Sequence, residues 1–185
     1  MSERLSYKTA MPAGVVLIVL AVQFASCTKS SPPAATRSSI AASPTPAIIR
    51  TSSDVVKVNS TSTAIPAGSS GYATVSVSIS SGYHVNANPA TFPYLIPTEL
   101  KADKIEGITA NKPSYPPALT RKFQFADQPL SVYEGEAPIK LPLRATGNAA
   151  KGIRPLPITV RVQACDNEKC FPPATLNSYV SVEVK

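Results

Sequence analysis

The stretch YATVSVSIS constrains this chain most. Ala73, Val75, Val77 and Ile79 alternate with Thr74, Ser76 and Ser78, the period of two expected of a strand with one buried face. Three further stretches repeat it. PIKLPLRA turns Ile139, Leu141, Leu143 and Ala145 inward, PITVRVQA does so with Ile158, Val160, Val162 and Ala164, and YVSVEV with Val180, Val182 and Val184. DVVKV, YLIPTEL, DKIEGIT and RKFQF are shorter strand candidates, and AGSSG, NKPSYPP, YEGEAP and TGNAAKG carry turn residues between them.

Nineteen prolines against eight glycines weigh against helices, because proline removes a helical donor and clashes with the preceding turn. Many short strands at this spacing predict an all-β fold, an immunoglobulin-like antiparallel β-sandwich, over residues 52–185. About 130 residues can bury a core without help from disulfides. Pro142 interrupts a strand pattern, which predicts an edge strand or a bulge there.

The first residues read as an address. Arg4 and Lys8 precede AGVVLIVLAVQFAS, which is shorter than the roughly 20 apolar residues a spanning helix needs and matches a secretory signal core ending in small residues. FASC resembles a bacterial lipobox, which implies cleavage after residue 26 and lipidation of Cys27. Ordinary cleavage at the same place would leave a free thiol, a liability in an oxidising compartment. Residues 27–51, rich in Ser, Pro, Ala and Thr, read as a disordered tether. Such a tether would span roughly 25–30 Å. The expected order is therefore signal peptide 1–26, tether 27–51 and folded domain 52–185.

The formal charge is +7, and +6 once the signal segment with Arg4, Lys8 and Glu3 is removed. The basic residues are scattered, with Arg121-Lys122 the longest run. A nucleic-acid surface concentrates charge in a stripe with aromatics interleaved, so no nucleic-acid partner is expected.

Chemistry concentrates in QACDNEKCFPP. Continuing the alternation of PITVRVQAC puts Cys165 on the face opposite Ala164, with Arg161 and Gln163, where it is predicted to be at least partly accessible. Asp166 to Lys169 can form a tight four-residue connection that returns Cys170 opposite Cys165. Opposed strand residues have Cβ atoms about 4.5–5.5 Å apart, within reach of a disulfide. Pro172-Pro173 blocks ladder pairing just beyond, so the outgoing strand is expected to restart near Leu176. A metal site is not expected: two cysteines and a distant His84 fall short of the three or four ligands zinc takes, and Met1 and Met11 lie in the signal segment. A structural staple remains open, although a six-residue loop gains only about 2 kcal/mol from closure. A short accessible disulfide is also open to thiolate attack. The residues alone leave staple and redox pair evenly balanced.

VQACDNEKCFPP resembles the active-site segment of the N-terminal periplasmic domain of DsbD, the thiol:disulfide interchange protein, in which a strand leads through Gln-x-Cys to a second cysteine followed by an aromatic and two prolines. SGYHVNANPATFPYLIPTEL and LSVYEGEAPIKLPLRAT resemble two further stretches of that family. Together these cover most of residues 52–185.

The resemblance implies an immunoglobulin-like domain that passes two electrons between redox proteins through a Cys165–Cys170 disulfide, with no other cofactor. It implies that Cys170 enters the mixed disulfide and Cys165 resolves it, with Gln163, Asp166, Glu168, Lys169, Phe171 and Pro172 as surroundings. Lys169 would favour a Cys170 thiolate; Asp166 and Glu168 would oppose it. A cap carrying an aromatic corresponds to RKFQFADQPLSVY, with Phe125 as first choice for the shield and Phe123 as second. Gln124 and a displaced Asp127 stand where the family often has adjacent acids. His84, Tyr83 and Asn86 are read as structural.

The implied partners are periplasmic thioredoxin-like proteins and a membrane-embedded electron donor. The sequence shows no apolar run of spanning length after the last strand pattern, so that donor is expected to be a separate protein. The implied location is the periplasmic side of a bacterial envelope, held by a lipid anchor. The alternative is a non-catalytic immunoglobulin-like binding module with a structural disulfide.

Overall fold

A computed structural model describes residues 51–185 of the chain. The expected signal peptide, Cys27 and nearly all of the tether lie outside the described residues.

The alternating stretches all form strands. In chain order the elements are a 3-10 turn η1 (Ser52–Asp54), β1 (Val56–Ser60), β2 (Thr63–Ile65), β3 (Ser70–Ile79), β4 (His84–Asn86), β5 (Glu99–Ala102), β6 (Ile108–Ala110), β7 (Leu119–Arg121), β8 (Leu130–Tyr133), β9 (Glu136–Ala145), β10 (Gly152–Val162), β11 (Ala164–Cys165) and β12 (Ala174–Val184). They make three sheets, ordered β1-β3-β9-β6, β2-β12-β10-β5 and β11-β4-β8-β7. The first two face one another. Val75, Val77, Ile139 and Leu141 from one meet Leu156, Ile158, Val160, Val180 and Val182 from the other in a single buried cluster. This is the expected all-β, immunoglobulin-like sandwich. Among the described strands β2 alone pairs in parallel, with β12. It follows β1 after two residues and carries the chain from the edge of one sheet to the edge of the other.

Four expectations are corrected. Pro142 is in neither an edge strand nor a bulge: β9 pairs with β3 on one side and β6 on the other, with Tyr72 directly opposite Pro142. The Pro142 carbonyl accepts from Asn111 N–H just past the end of β6. Its missing donor therefore faces the side where that short neighbour has ended, and no bond to β3 is lost. RKFQF is not a strand, because pairing stops at Arg121 and Lys122 Nζ caps the carbonyls of Ala126 and Asp127, closing a loop. Only the ends of YLIPTEL and DKIEGIT enter strands, as β5 and β6. The outgoing strand restarts at Ala174, opposite Val162, two residues earlier than expected, since the two prolines occupy only the step between hairpin and ladder.

Candidate redox site

The site is built on the third sheet, whose strands are two to four residues long. β11 continues the path of β10 but leaves its partners to pair with β4, Ala164 opposite Val85 and Cys165 opposite His84. Asp166 to Lys169 then turn the chain back. Asp166 N–H donates to the Lys169 carbonyl at 2.9 Å, and Asp166 Oδ1 accepts from the N–H of Glu168 and of Lys169, each at 2.8 Å. Burial alone would raise the Asp166 carboxyl. Those two donors and the Lys169 charge outweigh it, so its pKa lies below the usual range. Cys170 returns opposite Cys165, and the two are bonded.

The bonded cysteines differ sharply in access. Cys165 is fully buried and Cys170 half-buried. The expected accessibility of Cys165 is therefore corrected. The face assignment holds, since Ala164 belongs to the sandwich core and Cys165 does not. Strand alternation, however, says nothing about what covers the second face. Here that face carries a second apolar cluster of Phe123, Leu130 and Val132, with Phe92, Leu95 and Ala126 packed against it.

The two cap candidates stack on one another, ring centroids 5.5 Å apart, and differ in exposure. Phe123 is buried, its ring stacked on His84 at 3.9 Å between centroids. Phe125 is 37% exposed. It lines a groove of about 260 Å³ with Tyr94, Leu95, Ala126, Leu130, Lys169 and Cys170. Gln124 and Asp127 are exposed, and neither lines this groove.

His84 is buried, and its Nε2 has no hydrogen-bond partner among the described residues. Burial pushes its pKa down to about 4, against the pull of the Glu134 and Asp166 carboxylates. With Tyr83, Phe123, Glu134 and Asn167 it borders a second cleft of about 420 Å³.

The other expected surroundings divide by role. Gln163 Oε1 accepts from Asn86 Nδ2 and Ile96 N–H, both at 3.4 Å, which ties the incoming strand to β4. Phe171 is buried, 5.9 Å from the Tyr83 ring, with Lys169 Nζ 5.7 Å above it. Glu168 and Pro172 are exposed. Asn86 donates to the Ile96 carbonyl at 3.0 Å, and Thr98 Oγ1 donates to the Asn86 carbonyl at 2.7 Å. These bonds pin residues 96–98 to β4 and thereby set the wall carrying Tyr94 and Leu95.

Sequence reasoning did not single out Ser52, Tyr94 or Leu95. The last two lay within YLIPTEL, read as a strand candidate, and within a stretch that resembles the family, with an aromatic between prolines in FPYLIP. Ser52 carried no signal, because its partners are more than a hundred residues away.

The model of the family described as thiol:disulfide interchange protein DsbD, N-terminal, matches residues 52–180. The chain belongs to that family. It is accordingly a thiol:disulfide interchange domain of the DsbD N-terminal type, and it carries a disulfide between Cys165 and Cys170. Among solved structures, it is similar to the reduced N-terminal domain of DsbD from Neisseria meningitidis, at 19% identity over 63% of this chain and 82% of that one, with a TM-score of 0.42. It is also similar to the N-terminal periplasmic domain of ScsB from Proteus mirabilis, at 13% identity over 69% of this chain and 49% of that one, with a TM-score of 0.45. A comparison with curated proteins gave no match.

Proposed function

We propose that this DsbD-type domain passes electrons between redox proteins on the periplasmic side of a bacterial envelope, through the Cys165–Cys170 pair. The observation that carries this reading is the unequal burial of two bonded sulfurs: Cys165 sits inside, and Cys170 lines an apolar groove.

In the reducing half-cycle a donor thiolate attacks Cys170 Sγ in line with the S–S bond. That bond breaks, a mixed disulfide to Cys170 forms, and Cys165 leaves as a thiolate that takes up a proton. The donor's second thiolate then attacks the donor's own sulfur and releases Cys170. The domain gains two electrons and two protons, and the donor becomes a disulfide. The second half-cycle runs the same steps backward, with Cys170 attacking an oxidised acceptor and Cys165 resolving the mixed disulfide. Phe125, with Tyr94 and Leu95, forms a wall that limits this chemistry to a partner able to fill the groove; Phe123 acts behind it by holding His84. A membrane-embedded reductase as donor and thioredoxin-like proteins as acceptors fit this chemistry. A lipid on Cys27 and a tether over residues 27–51 would keep the domain near the membrane.

Cys165→Ala tests the reading by removing the resolving sulfur. Mixed disulfides to Cys170 should accumulate in cells, and their masses would name the partners. No adducts, together with a wild-type reduction potential well below about −300 mV, would leave a binding module with a structural bond.

A further inference from the structure

The ladder between β10 and β12 pairs Val162 with Ala174. Continued two residues, it would set Ala164 opposite Pro172. The hairpin instead sets Cys165 opposite Cys170, one residue out of step, because Phe171, Pro172 and Pro173 lie on the outgoing side against Gln163 and Ala164 on the incoming side. At this slip Phe171 N–H serves the Ala164 carbonyl at 2.8 Å. Pro172 has no N–H to offer.

Ser52 fills the slip from the far end of the domain. Its hydroxyl oxygen accepts from Ala164 N–H at 2.9 Å, and the same hydroxyl donates to the Pro172 carbonyl at 2.7 Å. Ser52 N–H donates to that carbonyl as well, at 3.1 Å. The side chain is fully buried. Ala164 immediately precedes Cys165, and Pro172 follows Cys170 by two residues. One hydroxyl thus joins the two arms of the hairpin that carries the two sulfurs.

We propose that Ser52 is a positioning residue of the redox site, a clasp that holds the flanks of the hairpin so that Cys165 and Cys170 stay opposed in the dithiol form. This rests on the redox reading of the pair. Holding two thiols together raises their effective concentration toward one another, which favours the disulfide. The reaction is the disulfide plus two glutathione thiols giving the dithiol plus glutathione disulfide, a transfer of two electrons and two protons.

Equilibration of the full chain with glutathione, or with dithiothreitol for a more reducing pair, reads the effect. Ser52→Ala should shift the equilibrium about tenfold toward the dithiol, equivalent to a potential about 30 mV higher. Val55→Ala trims packing beside the same turn but keeps the hydroxyl, so it should lower the melting temperature and leave the potential in place. A shift below threefold, or one in the opposite direction, overturns the proposal.

If Ser52→Ala does not fold, the wild-type chain decides. Coupling is reciprocal, so the Ala164 amide should exchange with solvent about tenfold more slowly in the disulfide form than in the dithiol form. Equal protection in both forms overturns the clasp. These ratios need no protein partner, so failure of the Cys165→Ala trap and failure of the clasp are separate outcomes.

Discussion

The sandwich and the third sheet are held together in different proportions. β3, β9, β10 and β12 are ten or eleven residues long, and their inward side chains are apolar. The third sheet has strands of two to four residues. The buried polar residues among those described, Ser52, His84, Asn86 and Thr98, all lie in it or bond to it. Long ladders over an apolar core supply stability through area removed from water. Short strands supply less of it, so side-chain bonds from Ser52, Asn86, Thr98 and Gln163 add to the apolar contacts of Val85, Leu130, Val132 and Tyr133. The long-stranded half carries most of the fold, and the short-stranded half sets where two sulfurs sit.

If that division holds, damage to one half should leave the other's property intact. Leu141→Ala empties a fully buried site and should cost about 2–5 kcal/mol in urea unfolding, with the reduction potential unchanged. A potential that moved with it would break the division.

Next in size is a pH effect confined to the third sheet. His84 titrates near 4 in the fold and about 6.5 unfolded, so the unfolded chain takes up the proton first. Stability should be complete above about pH 6.5, fall by up to about 3 kcal/mol as pH drops toward 4, and level off below. His84→Phe should flatten that slope in a melting series; an unchanged slope would assign it to carboxylates elsewhere.

Reducing the disulfide should cost only about 2 kcal/mol, the closure entropy of so short a loop. Loss of the whole fold on reduction would make the bond a staple after all. The smallest stability effect belongs to Phe125→Ala, below about 1 kcal/mol because the ring is partly exposed. It should nonetheless speed reaction of the disulfide with a small thiol several-fold in stopped-flow measurements, and an unchanged rate would remove Phe125 from the shield.

Legibility followed the same division. β3, β9, β10 and β12 alternate because one face is buried and the other wet, so a period of two was visible. β4 reads His84, Val85, Asn86, all three buried; covered on both faces, it shows no alternation and was missed. Phe123 and Phe125 are spaced like strand residues and their rings stack 5.5 Å apart, yet they sit in a loop that Lys122 closes on itself, with Phe123 buried and Phe125 partly exposed. The facing of Cys165 was legible and its burial was not. Parity tells which face a side chain takes, whereas the cover over that face comes from residues 92–95 and 123–132.

By itself the sequence determined an all-β sandwich, the four long strands with their inward sets, and a cysteine hairpin able to close, because each depends on neighbours a few positions apart. Only the tertiary structure decided which sulfur is reachable, which phenylalanine borders it, and that a serine 112 residues before Ala164 closes the slip beside them. Those are contacts between segments far apart in the chain, and local periodicity holds no record of them.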